Sequence, residues 1–443
     1  MQAIGNRTAI TGIGWTAFTR AADCSGLTLA AEASLKAIGD AGLAVDDIDG
    51  VITFFHNQDT IPPRQVVHAL GLPDCNFMMM SALGGGWAPA AVASAAMAIH
   101  AGLCRNVLVF RALTGKSNTG KPARIAPNEE QWSKPFGIAH AAARFGPHVT
   151  AHMDRYGTTS LDFGHLAVGT RNHARLNKKS MMTEPMTLAD HQASPWVIYP
   201  FRLLDCCMRS DGAVAVVVSA ADRARDMRHA PVYIRAMMGG TLTHQHGTLH
   251  ADGLWQMYAH RAAPKLYGAA DLTAADVDIA ELYDPFTGIC LLHMEGFGLA
   301  GPGEGAARTR AGDTGLDGAI PLNTHGGLLS EAYMHGLGHV LEAVQQLRPG
   351  GVVDDYCSGA HDYDRAHCRQ VRDPKIALVC GECGDTLRLC RQQRLCARVL
   401  QRSKYCRSHD APAPKCAPWW HLAPGTVCLH TCIAPPLSRQ GHL

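Results

Sequence analysis

The chain has 443 residues, 47% of them apolar and 18% charged, with a formal net charge of +2. That length exceeds one small core and implies two domains or one large pseudo-symmetric body. The near-neutral balance gives no reason to expect nucleic acid or an acidic membrane surface as partner, and no uninterrupted apolar run approaches a membrane span. The first residues lack the basic, apolar and small-residue order of a signal peptide, so a cytoplasmic location is the default expectation.

In chain order, residues 9–14 read as a short strand ending in glycines. Residues 27–41 have helical apolar spacing and close on Gly42. Residues 46–54 form an acidic turn into a strand, 88–101 a buried helix of small residues, and 106–110 a strand apolar on both faces. Residues 115–202, rich in Lys, Arg, His, Asn, Met and Pro, read as an inserted cover. An Asp-Gly turn and core strand follow at 209–218. The second half repeats this grammar: a strand at 231–236, an acidic turn and strand at 273–283, a helix at 330–347 and a strand at 375–380. Alternating strands and helices predict an α/β body with a mostly parallel sheet, and the repeated order predicts an internal duplication. The divisions expected are 1–230, with the cover inserted at about 115–202, then 231–386, then a tail at 387–443.

From Leu387 onward the pattern breaks. The tail holds nine Lys or Arg against one acidic residue, Asp410, and its Cys, Arg, His and Pro follow no clear period. A poorly ordered tail is the expectation, and a change of coding frame near Thr386 would give the same break. C-G-E-C at 380–383 and the trio His244, His246 and His250 have weak metal-ligand spacing, and no metal is expected.

Several runs resemble thiolase-like proteins of the lipid-transfer and sterol-carrier type: I-T-G-I-G-W-T-A-F-T-R, L-A-A-E-A-S-L-K-A-I-G-D-A-G-L, R-L-L-D-C-C-M-R-S-D-G-A-V-A-V-V-V, E-L-Y-D-P-F-T and N-T-H-G-G-L-L-S-E-A-Y-M-H-G-L-G-H. They span roughly residues 5–386. The resemblance implies a five-layer αβαβα body of two similar halves with a loop domain inserted in the first. It also implies acyl-CoA as substrate. Three departures stand out. Thiolases carry a nucleophilic cysteine just before the long small-residue helix; here residues 81–86 read S-A-L-G-G-G. Where thiolases have N-E-A-F, this chain has Tyr283-Asp284-Pro285-Phe286, and where they have a histidine after the Gly-Gly turn it has Tyr333. This pattern resembles the thiolase-like aldolases that shorten steroid side chains.

That resemblance implies retro-aldol cleavage of a β-hydroxyacyl-CoA with Tyr283 and Tyr333 as catalytic residues, one ending a strand and the other opening a helix. Gly326 and Gly327 would bring backbone N–H groups to the thioester oxygen, and Asn323 and His325 in the same turn are substrate-binding candidates. Cys380 falls near the second reactive cysteine of thiolases and is a further candidate. Asp284, Glu331, His335 and His339 read as structural, His335 pointing away from Tyr333. The implied assembly is a homodimer with an OB-fold/zinc-ribbon partner subunit and, with it, a hydratase-like subunit. No cofactor is implied beyond the substrate's own CoA. Two other readings stay open: a thiolase-type acyltransferase, and a non-catalytic acyl-CoA-binding subunit.

Overall fold

A computed structural model describes residues 4–54, 61–81, 87–114, 134–138, 140–239, 253–348, 363–382 and 386–391. The histidine trio 244–250 and everything after residue 391 lie outside them.

The strands are β1 (Thr8–Trp15), β2 (Gly50–Phe54), β3 (Phe77–Ser81), β4 (Asn106–Thr114), β5 (Trp196–Ile198), β6 (Phe201–Arg202), β7 (Asp211–Ala220), β8 (Val232–Met238), β9 (Ile279–Glu281), β10 (Ile376–Cys380) and β11 (Thr386–Cys390). Nine of them form one sheet in the order β3-β2-β4-β7-β1-β8-β11-β10-β9. Beyond β9 the sheet continues as a single parallel bridge between Ala280 and Leu322. From either outer edge inward, each half therefore runs third, second, fourth, fifth, first. The halves meet where β1 pairs with β8 at Ala9–Tyr233 and Ile10–Val232.

The expectation of a mostly parallel sheet is corrected. Among the described strand pairs only β2–β3, β2–β4 and β9–β10 are parallel, together with the single Ala280–Leu322 bridge. The fifth strand of each half returns alongside the fourth: β7 against β4, and β11 against β10 across a short connection. An antiparallel neighbour needs only such a return, whereas a parallel one needs a crossover.

Period-two alternation sorts the side chains into layers. Ile52, Val107, Val109, Val214, Val216 and Val218 face inward with Val379, Leu387 and Leu389, packing on helices Ala88–His100 and Leu337–Leu347. On the opposite face, Val51, Leu108, Phe110 and Val217 pack on helix Gly26–Ala41. In the second half, Ala280, Leu282 and Leu378 pack on helices Ala259–Ala270 and Thr287–Gly296. The result is helix, sheet, paired central helices, sheet, helix. The cover contributes helices Ala141–Tyr156 and Ser160–Arg175. No helix among the described residues is long and apolar enough to cross a membrane.

Two boundaries move. Leu387–Cys390, assigned above to the tail, completes the second half-sheet: β11 pairs with β8 on one side and β10 on the other, and Leu387 and Leu389 are fully buried. The continuous helix expected at 330–347 is two helices, Gly327–Ser330 and Leu337–Leu347. Positive φ at His335 (52°) and Gly336 (80°) breaks the helical path between them.

Leu387→Ala should cost about 2–5 kcal/mol of stability in chemical denaturation, as truncation of a fully buried leucine does. A loss below about 0.5 kcal/mol would return Leu387 to an unpacked tail.

Candidate functional site

Beyond β9 the chain runs Leu282-Tyr283-Asp284-Pro285-Phe286 into helix Thr287–Gly296. Tyr283 is 1% exposed. Its backbone N–H donates to Sγ of Cys380 at 3.4 Å, and its carbonyl lies 3.3 Å from Nδ1 of His293. These two side chains also meet, Cys380 Sγ lying 3.6 Å from His293 Nδ1. The Tyr283 ring packs against Gly336, where a Cβ would come within 3.2 Å of Cδ2.

Tyr333 lies in the break between the two helices, not at a helix start. Its N–H donates to Oγ of Ser210 at 3.0 Å, tying the break to the segment before β7. The two phenol oxygens are 2.9 Å apart. His335, expected to point elsewhere, packs edge-on against the Tyr333 ring with centroids 4.5 Å apart. Its Nδ1 accepts from Nε of Arg111 at 2.9 Å, a hydrogen bond that the positive φ of His335 makes reachable.

Burial, the other phenol and the nearby Glu382 carboxylate push Tyr283 well above the usual tyrosine range. Tyr333 is also raised, by burial, Cys207 and Glu382, but the hydrogen bond from Tyr283 and the Arg111 charge pull the other way. Both phenols are therefore protonated near neutral pH, and Tyr333 is the one whose ionised form has support. Either phenol can donate in this contact; when Tyr283 does, the Tyr333 hydroxyl hydrogen stays available to a ligand.

The remaining candidates fall into a supporting layer. The Asn323 amide is spent on Leu282, accepting from its N–H at 2.7 Å and donating to its carbonyl at 2.9 Å. Asn323 is fully buried. His325 is enclosed as well, its Nδ1 3.0 Å from Glu281 and its Nε2 3.7 Å from Glu331, and burial pushes its pKa down to about 4. The Gly326 N–H already donates to the Asn323 carbonyl, so it does not serve a thioester. Gly327 has a different reason to be glycine: φ is 60° and a Cβ would sit 2.0 Å from Oδ2 of Asp284. Asp284 Oδ1 accepts from the Leu328 N–H at 2.8 Å and lies 3.2 Å from Nε2 of His339. Burial disfavours a charge on His339, but the hydrogen bond and charge of Asp284 outweigh it and raise its pKa. Cys380 is buried behind the Tyr283 main chain.

Arg111, Cys207, Ser210, His293 and Glu382 were missed from sequence. Arg111 had a readable signal, a lone charge inside the apolar strand N-V-L-V-F-R-A-L-T. Glu382 was visible only as part of a weak zinc motif, and His293 as one histidine in an apolar helix. Among the described residues no His, Cys, Asp and Glu cluster could hold a metal ion. An open groove of about 560 Å³, lined by Ile138, Gly146, Thr150 and Tyr199 among others, includes neither Tyr283 nor Tyr333.

Residues 239–387 match the family described as thiolase C-terminal domain-like. The chain is 39% identical over 360 residues to a 17-hydroxy-3-oxo-4-pregnene-20-carboxyl-CoA lyase of Mycobacterium tuberculosis, covering 78% of this chain and 92% of that protein. It is 36% identical over 375 residues to a steroid side-chain-cleaving aldolase of Thermomonospora curvata, covering 80% and 95%. The chain belongs to the thiolase-like superfamily, beside the steroid side-chain-cleaving aldolases. Among solved structures this thiolase-like chain is similar to an Ltp2-ChsH2(DUF35) aldolase, with TM-score 0.80, 34% identity and coverage of 89% of this chain and 100% of that one. Human mitochondrial 3-ketoacyl-CoA thiolase, at 14% identity and TM-score 0.59, shares the fold.

The layer of buried histidines around the thiolase-like site predicts how stability varies with pH. Burial pushes His173, His293 and His325 down to about 4, so between pH 6.5 and 4 the unfolded chain binds protons that the native chain refuses. Stability from these groups is lost as pH falls through that window. Glu281, raised to about 8 by burial and by Glu342, and His339, also raised, act oppositely: the native chain holds their protons, and that stability is lost as pH rises from about 4.5 for Glu281 and from about 6.5 for His339. Below 6.5 the three histidines outweigh Glu281. Denaturation midpoints measured from pH 4.5 to 8.5 should therefore peak near pH 6.5, and a midpoint rising steadily across the range would contradict this account.

Proposed function

We propose that this chain cleaves a carbon–carbon bond in the side chain of a steroid CoA thioester by a retro-aldol step. The substrate is a β-hydroxyacyl-CoA, and the products are a ketone and a shorter acyl-CoA. The observation that carries the reading is the pair of phenols 2.9 Å apart at the end of β9, in a chain with no cysteine at 81–86. The lyase and aldolase named above, 36% and 39% identical to this chain, support it.

The chemistry follows from the pair. A retro-aldol step needs no acyl-enzyme. It needs the β-hydroxyl proton removed as the bond breaks, and a proton delivered to the enolate carbon. In this reading Tyr333 deals with the hydroxyl; it is the less buried phenol, and Arg111 favours its ionised form. Tyr283, hydrogen-bonded to it, returns the proton. The proton lost from oxygen balances the one gained at carbon, so no cofactor is required beyond the CoA of the substrate.

A thiolase reaction would need a thiolate, and the thiols beside the phenols are poor sources of one. Burial raises the Cys207 pKa, and Cys380 is sealed behind the Tyr283 main chain. A homodimer with an OB-fold/zinc-ribbon partner subunit and a hydratase-like supplier, located in the cytoplasm, completes the proposal. The two-component Ltp2-ChsH2(DUF35) aldolase of similar structure supports the partner.

Tyr283→Phe and Tyr333→Phe should each lower kcat by about 100-fold or more on a steroid β-hydroxyacyl-CoA while the unfolding midpoint stays close to wild type. Mass spectrometry of the wild-type enzyme during turnover should find no acyl adduct. Full turnover in both variants, or a stoichiometric acyl-enzyme, would favour the acyltransferase; binding without any turnover would favour a non-catalytic subunit.

A further inference from the structure

A charge inside an apolar strand is costly to bury, and Arg111 is fully buried in β4. Its strand neighbours Phe110 and Ala112 and its cross-strand partner Val214 are apolar, so the sheet itself gives no reason for an arginine there. The side chain leaves the strand toward the site. Its guanidinium lies over the Phe54 ring, 5.5 Å from the centroid, and its Nε donates to Nδ1 of His335 at 2.9 Å.

That hydrogen bond fixes the imidazole. An Nδ1 that accepts carries no hydrogen, so the neutral ring holds its hydrogen on Nε2, and the donor direction sets the ring's orientation. The ring stands edge-on to Tyr333, with centroids 4.5 Å apart and planes at 82°, and its centroid is 6.4 Å from that of Phe54. Residues two apart on a helix do not face each other. Tyr333 and His335 do so because the chain leaves the helical path between the two helices, with φ of 52° at His335. Tyr333 is held at its backbone by Ser210 and at its hydroxyl by Tyr283, and the imidazole packs against the ring between those two anchors.

We propose that Arg111 and His335 are a positioning pair for Tyr333: Arg111 orients the imidazole, and the imidazole holds the Tyr333 phenol against Tyr283 in the geometry that cleavage requires. This role rests on the aldolase reading and assigns no proton transfer to either residue. With its Nδ1 accepting from Arg111, His335 is a wall for the phenol, and the protons of the reaction stay with the two tyrosines. A wall of this kind matters because a misplacement of about 1 Å at a reacting group can cost about 100-fold in rate. Arg111 also favours the ionised form of Tyr333, so orientation and charge act on the same phenol.

The test is a set of double-mutant cycles on the full chain with its partner subunit, measuring kcat and KM on a steroid β-hydroxyacyl-CoA. His335→Asn removes the ring while keeping a residue that tolerates left-handed backbone. Arg111→Lys keeps the charge and removes the Nε donor. Each should lower kcat by about 10- to 100-fold with KM within about 3-fold, and the double variant should be little worse than the poorer single one. In a Tyr333→Phe background neither change should lower the residual kcat by more than about 2-fold, because the phenol through which they act is gone. A general structural defect would lower kcat by the same factor in both backgrounds. Should Arg111→Lys fail to fold, the cycle of His335→Asn with Tyr333→Phe decides alone. Wild-type kcat in His335→Asn, a loss expressed in KM alone, or equal losses with and without the Tyr333 hydroxyl overturns the proposal while leaving the aldolase reading in place. No cleavage by wild type overturns both.

Discussion

Two hydrogen bonds between the Asn323 amide and the backbone of Leu282 hold the site together. They clamp the glycine turn to the end of β9, one residue before Tyr283. From that clamp the turn proceeds through Gly326 and Gly327 into a short helix, whose start Asp284 secures at the Leu328 N–H. The break after that helix then delivers Tyr333 to within hydrogen-bond distance of Tyr283. Two segments 40 to 50 residues apart in sequence thus meet through buried side chains beneath the phenol pair. The buried amide works as backbone glue because both its donor and its acceptor are satisfied in one place.

Beneath the clamp lies a buried acid pair with its own logic. The Thr324 hydroxyl is 2.8 Å from Oε1 of Glu281 and 2.8 Å from Oε1 of Glu342, and it has one hydrogen to give. One carboxyl must therefore supply a hydrogen of its own. Glu342 pairs with Arg369 and its pKa is held below the usual range despite burial, so Glu281, raised to about 8, carries the proton. Protonation removes one of two adjacent buried charges that could not both be accommodated. The backbone of the same Glu281 belongs to β9, so this arrangement also fixes the strand from which Tyr283 emerges.

Much of the fold was legible because its signals are local and periodic. Gly42 ends the first helix in the left-handed conformation, and the apolar run at 106–110 is a strand covered on both faces. What failed depended on tertiary partners. The antiparallel return of β11 was hidden because T-L-R-L-C looks irregular until Leu387 and Leu389 find the central helices and Arg388 stacks over Tyr267 at 4.2 Å. The break at 331–336 was hidden because E-A-Y-M-H-G carries no proline; the left-handed backbone at His335 accompanies tertiary contacts of its ring with Arg111 and Tyr333. In the site, sequence pointed to two tyrosines that the fold brings together, whereas Asn323, His325 and Gly326, expected to face a substrate, are buried among partners within the protein. Polar residues in a glycine turn look alike whether they serve a ligand or the backbone, and only burial and partner geometry separate the two.

The same burial explains why this scaffold suits phenols better than a thiolate. A water-poor site penalises any isolated charge, and here it raises Tyr283, Tyr333 and Cys207 alike. A thiolate nucleophile in such a place would need a cation or a cluster of N–H donors to remain ionised. The cation that bears on Tyr333, Arg111, is hydrogen-bonded to His335. A phenol pair avoids that cost, because neither hydroxyl need carry a full charge in the resting state. In the proposed cleavage, charge would arise only as the substrate proton moves, and Arg111 and the hydrogen bond with Tyr283 would favour it on Tyr333. Low dielectric then strengthens both interactions at the moment they are needed, so an environment that would silence a free nucleophile can favour a proton relay.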